Sequence, residues 1–169
     1  MDALEVLVDA AGRPVEAALA LRPQLARDVL LAHPGGHDNS IAWLLWHAAR
    51  EIDVQRAQLS GTQEVWTAQG FRERFALGEA GDGVGYGHTP EQARAIRIED
   101  ADLLLEHLAA VTAELVAYLR TLTEADLDAV IDESWDPPVT RGVRLVSIID
   151  DAAQHVGQAA YAAGMPAGA

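Results

Sequence analysis

Asn39-Ser40-Ile41-Ala42-Trp43-Leu44-Leu45-Trp46-His47-Ala48-Ala49-Arg50-Glu51-Ile52 is the stretch that decides the class of this chain. Ile41, Leu44, Leu45, Ala48 and Ile52 recur at helical spacing, Leu59 extends the stripe, and either Asn39 or Ser40 makes a good N-cap. Trp43, His47 and Val54 form a second stripe beside the first. A helix that is apolar over more than half its circumference is buried by its neighbours, and this puts the imidazole of His47 inside the buried arc.

Upstream, Leu4, Leu7, Val8, Ala11, Val15 and Ala18 predict a helix from about Ala3 to Leu21, which Pro14 bends or splits. Arg22-Pro23 and His33-Pro34-Gly35-Gly36 mark a connector with one helical turn at Gln24 to Leu30. Downstream, residues 60 to 88 are irregular apart from a short helix at Thr62 to Gln69, and the glycines at 78, 81, 83, 85 and 87 read as a mobile loop. Such a crossover is long enough to span a bundle from end to end. Thr89-Pro90-Glu91-Gln92 combines an N-cap, proline at the first helical position and a capping-box glutamine, so a third helix is predicted from there to about Leu122. Thr123 to Asp126 caps a short turn and Asp136-Pro137-Pro138 breaks the chain. A fourth helix spans about Thr140 to Ala163, with Gly164 and Pro166 as stops. No segment alternates convincingly with period two, so the class is all-α with four long helices, and residues 1–169 read as one domain without repeats.

Composition excludes several roles. Half of the 169 residues are hydrophobic and 22% are charged, which suits a globular core rather than disorder or a fibre. Twenty-six acidic against 12 basic residues give a net charge of -14, which repels nucleic acid and anionic lipid. No apolar run reaches the roughly 20 residues of a membrane span, and the acidic start Met-Asp-Ala-Leu-Glu is unlike a signal peptide, so a cytoplasmic protein is expected. Without cysteine, a metal is left to nitrogen and oxygen ligands, and any thiol chemistry needs an external thiol. All 12 basic residues are arginine and alanine is abundant, the bias of a GC-rich genome.

Asp151 and His155 stand four residues apart, one above the other on a helix, and with His47 from a second helix they form a facial metal site. Two imidazoles and one carboxylate with no fourth ligand in view is the set of a catalytic metal. The plainer readings are an exposed Asp151/His155 ion pair and a core histidine at position 47. Glu51 and His107 are candidates to orient an imidazole from behind. His33, His37 and Asp38 read as connector caps, and the glycine run lacks the Gly-Lys-Ser/Thr ending of a phosphate loop. Trp43, Trp46, Trp66 and Trp135 read as core, with Trp43 also a wall of the metal cleft.

The segments Asn39 to His47, Gly87-His88-Thr89-Pro90-Glu91-Gln92 and His155-Val156-Gly157-Gln158-Ala159-Ala160-Tyr161 resemble the DinB superfamily of four-helix-bundle metalloenzymes, in the actinobacterial branch related to mycothiol-dependent maleylpyruvate isomerase. The resemblance covers essentially the whole chain. It implies a four-helix bundle with a long second crossover, often a homodimer, and a metal on His47, Asp151 and His155. Aspartate at position 151 departs from the histidine or glutamate of many relatives, so it binds either directly or through water. The implied cofactor is a divalent metal, zinc ahead of nickel, iron or manganese, with a mycothiol-like thiol as cosubstrate and a small electrophile as partner. The rival expectation is a non-catalytic bundle, stress-related or dimerising.

Overall fold

The computed structural model describes residues 1–165. In chain order its helices are α1 (Ala3–Ala20), α2 (Arg27–Leu30), α3 (Ile41–Ser60), α4 (Val65–Ala68), α5 (Phe71–Phe75), α6 (Pro90–Ala95), α7 (Ala101–Leu119) and α8 (Arg141–Ala163), with a two-stranded antiparallel hairpin, β1 (Val130–Asp132) and β2 (Val139–Thr140), before α8. The four long helices make an all-α bundle with a long second crossover, from Gly61 to Asp100. Helices α1 and α3 each pack on both α7 and α8, so α1 and α3 lie across the bundle from one another.

Local chemistry sets the ends of these helices. The side chains of Asp2, Ser40, Asp100 and Thr140 each accept a backbone N–H in the first turn that would otherwise be unpaired. Gly61 ends α3 in the left-handed region, where a side chain would be strained. Pro14 sits within α1 without splitting it. Of the 20 residues of α3, 14 are buried, which makes it the central helix of the bundle. Leu45 and Trp46 are fully enclosed there, and each such side chain contributes on the order of 1.5–3 kcal/mol.

The crossover departs from the sequence expectations at three places. The short helix predicted over Thr62 to Gln69 is the single turn α4, a second one, α5, follows beyond that range, and Asp53 explains the start of the first. Its buried carboxylate accepts from Val65 N (2.8 Å) and Trp66 N (2.7 Å) and pairs with Arg56 (2.9 Å). The third helix does not run unbroken from Pro90. It stops at Ala95, the chain buries Ile96 and Ile98 as a short irregular segment, and Asp100 caps a fresh start. The glycine run is packed at two points: a Cβ at Gly81 would lie 2.8 Å from Leu77 Cβ, and one at Gly85 would meet three aromatic rings, whereas Gly78, Gly83 and Gly87 have open space on that side.

Two smaller corrections concern the last third of the chain. Trp135 is not core but 65% exposed in the hairpin. Helix α8 ends at Ala163 as expected, while the proposed stop Pro166 lies outside the described residues. Among the described residues no helix is long and apolar enough to cross a membrane.

Candidate metal centre

Helix α3 carries His47 on its buried face, and α8 carries Asp151 and His155 on successive turns of the face turned toward α3. One ligand atom from each lies within 4.8 Å of the others, and no other such group occurs among the described residues. The two imidazoles meet edge to face, centroids 4.5 Å apart at 77°.

Each ring has its Nδ1 engaged elsewhere. His47 Nδ1 meets the carbonyl oxygen of Val84, which can only accept, so the proton of the neutral ring is on Nδ1 and the lone pair is on Nε2. His155 Nδ1 donates in the same way to Gln158 Oε1 at 2.9 Å, leaving Nε2 facing Asp151 Oδ1 at 3.4 Å. An imidazole oriented from behind by an oxygen is the usual arrangement for a metal ligand. Asp151 Oδ2 is buried without a hydrogen-bond partner, a costly state for a carboxylate oxygen that a cation would relieve. The donor set, two nitrogens and an oxygen, fits a divalent metal.

The electrostatics favour one ring over the other. Burial pushes the pKa of His47 down, which keeps it neutral and able to ligate. Burial also disfavours the charged form of His155, but the neighbouring Asp151 and Gln158 side chains outweigh it and raise its pKa. A cation entering the site therefore competes with a proton for His155.

A cavity of about 490 Å³ opens beside the three residues, lined also by Trp43, Glu51, Tyr86, His88 and Ser147. Trp43 stacks on His47 at 4.5 Å and 19°, forming the expected wall. Glu51 lines the same cavity but lies outside the three-residue group; its pKa is raised by burial and by the charge of Asp151. His107 is elsewhere. It is fully buried among Trp66, Phe71 and Phe75, both ring nitrogens are unpaired, and its pKa is pushed down to about 3 by burial and by Arg50 and Arg74. His37 and Asp38 serve the connector: His37 accepts from Asn39 N, and Asp38 pairs with Arg94.

The loop over His47 is the part sequence reasoning missed. Arg50, buried one turn after His47, donates to Gly83 O (3.2 Å) and Asp82 O (3.3 Å) and pairs with Glu64 (2.9 Å). It thereby pins the segment that brings Val84 O to His47. Gly85 follows with φ +95°, its backbone against Trp43, Trp46 and His47. A buried arginine three residues after a candidate ligand was the available signal.

The sequence profile of the DinB superfamily matches residues 13–159. A crystal structure described as the conserved protein of locus from Enterococcus faecalis is 37% identical, with 96% of each chain covered and a TM-score of 0.88. No curated protein matches. With a family profile matching most of its length, this chain belongs to the DinB superfamily.

Proposed function

We propose that this chain is a metal-dependent enzyme in which His47, Asp151 and His155 hold a divalent cation, zinc ahead of nickel, iron or manganese. The observation that carries the reading is the meeting of these three side chains on the wall of one cavity, with both imidazoles oriented through Nδ1. When bound, the metal supplies Lewis acidity that lowers the pKa of a thiol or water in the coordination position left open by the protein.

The chain's own residues do the rest. Val84 O and Gln158 Oε1 fix the two rings, Asp151 supplies the anionic ligand, and Trp43 keeps water from one face of His47. Glu51 offers a proton acceptor on the cavity wall, its raised pKa suited to a general base. Because the chain has no cysteine, the thiol comes from outside, and a low-molecular-weight thiol of the mycothiol kind fits the branch that the sequence resembles. The arginine-only basic composition supports an actinobacterial source. The second substrate is a small electrophile, and the product a conjugate, an isomer or a hydrolysis product.

We further assign all 169 residues to one domain, acting in the cytoplasm as a homodimer; exposed Val130, Val143 and Val146 around the start of α8 supply apolar surface for a second copy. The test is thiol consumption with a panel of electrophiles, on metal-replete and chelator-stripped protein. Turnover that vanishes on stripping supports the enzyme. Equal rates overturn the metal dependence, and no turnover in either leaves a non-catalytic bundle.

A further inference from the structure

His88 lies on the cavity wall without an ion pair among the described residues, and two tryptophans fix its ring. The Trp43 indole donates from Nε1 to His88 Nδ1 at 3.3 Å, and Trp46 lies nearly parallel to the imidazole, 22° between planes with centroids 6.0 Å apart. An indole nitrogen can only donate, so Nδ1 must be bare, and a neutral ring then carries its proton on Nε2. Among the described residues no group accepts from that Nε2–H, and the ring lines the same cavity as His47, Asp151 and His155. The backbone is built for the placement. Gly85 at φ +95° presses against Trp43 and Trp46, and Gly87 at φ +73° turns the chain so that His88 follows.

We propose that His88 is the substrate-recognition residue of this cavity, presenting Nε2–H as a fixed donor to an uncharged oxygen, an amide carbonyl, hydroxyl or ether, on the small molecule bound there. The acceptor is uncharged because no arginine or lysine lines the cavity to pair with a carboxylate. Ten of the 12 arginines are already paired with carboxylates, and Glu51 and Asp151 make the wall acidic. The inference takes its class of molecule from the metal-centre reading: the thiol end meets the centre, and the oxygen meets His88.

Two measurements test it. Nitrogen NMR of histidine-labelled protein reads the tautomer without any ligand: Nδ1 bare and Nε2 protonated in the parent chain, with the preference lost in Trp43→Phe. A protonated Nδ1 overturns the proposal. The second is titration calorimetry on metal-loaded protein with N-acetylcysteamine, which has an amide oxygen, and 1-pentanethiol, which has none. The affinity ratio of the two should fall about fivefold in His88→Leu and be kept in His88→Gln, whose side chain still donates, as expected for one neutral hydrogen bond. An unchanged ratio in His88→Leu overturns the assignment and leaves the metal centre standing. Binding of neither thiol to metal-replete protein overturns the assignment together with the thiol part of the proposed function, while the metal ligands stand.

Discussion

Gly85→Ala is the substitution that weighs the loop against the centre. An alanine Cβ there would stand 2.8 Å from Trp43 Cζ2, 3.0 Å from His47 Nδ1 and 3.0 Å from Trp46 Cζ3, on a backbone with φ +95°. All three rings are buried at 5% exposure or less, and none is the free end of a flexible chain. The backbone strain costs about 1–2 kcal/mol and forcing a methyl into a packed interior about 1–3 kcal/mol, so the variant should lose about 2–5 kcal/mol. Gly87→Ala is the control. It shares the positive φ, at +73°, but no atom lies within 4 Å of its added Cβ, so it should lose only the strain. Urea unfolding followed by tryptophan fluorescence measures both. Because the methyl also presses on His47 Nδ1, the atom held by Val84 O, metal affinity should fall about 10–100-fold in Gly85→Ala and stay unchanged in Gly87→Ala. Equal stability and equal metal affinity of the two variants would refute the claim that this loop is clamped onto the ligand.

Asp53→Asn should cost about 3–5 kcal/mol in the same unfolding assay, because it leaves Arg56 buried without a carboxylate, takes from Arg50 one of its two and weakens the cap on α4; a loss under about 1 kcal/mol would contradict the network. His107 gives the chain an acid sensitivity with a definite sign. Its pKa is about 3 folded and about 6.5 unfolded, so the unfolded state alone takes up the proton as pH falls between those values. Stability at pH 5 should drop by about 2 kcal/mol relative to pH 8, a slope that His107→Phe removes. Asp151→Asn should weaken metal binding more than Asp151→Glu does, measured by competition with a chromophoric chelator; equal affinities of Asp151→Asn and the parent would make Asp151 a solvated helix residue.

The long helices were legible because periodicity and capping are local properties. Ser40 before Ile41, Thr140 before Arg141 and the apolar stripe of α3 each announce themselves within a few residues. The break between Ala95 and Ala101 was not, because the burial of Ile96 and Ile98 is a tertiary effect that overrides a helical pattern; only Asp100, a good N-cap, hinted at it. Residues His47, Asp151 and His155 could be brought together on paper because i, i+4 spacing is geometry, and α3 and α8 do pack against each other. With aspartate at position 151, a carboxylate oxygen still lies within 4.8 Å of a ring nitrogen of each histidine. The glycine run from Gly78 to Gly87 carries no side-chain pattern, so nothing within it announces a fixed position. What fixes it comes from outside it: the Arg50 guanidinium from below and the tryptophans of α3 at its side.

The central claim is that His47, Asp151 and His155 bind one metal ion, and elemental analysis of protein purified without an affinity tag tests it most directly. The account predicts about one divalent ion per chain, lost in His47→Ala and in His155→Ala while circular dichroism keeps the parent's helical content, since neither ring is needed to hold the four helices together. Full occupancy in either variant, or parent protein that takes up no metal when dialysed against zinc, would contradict it.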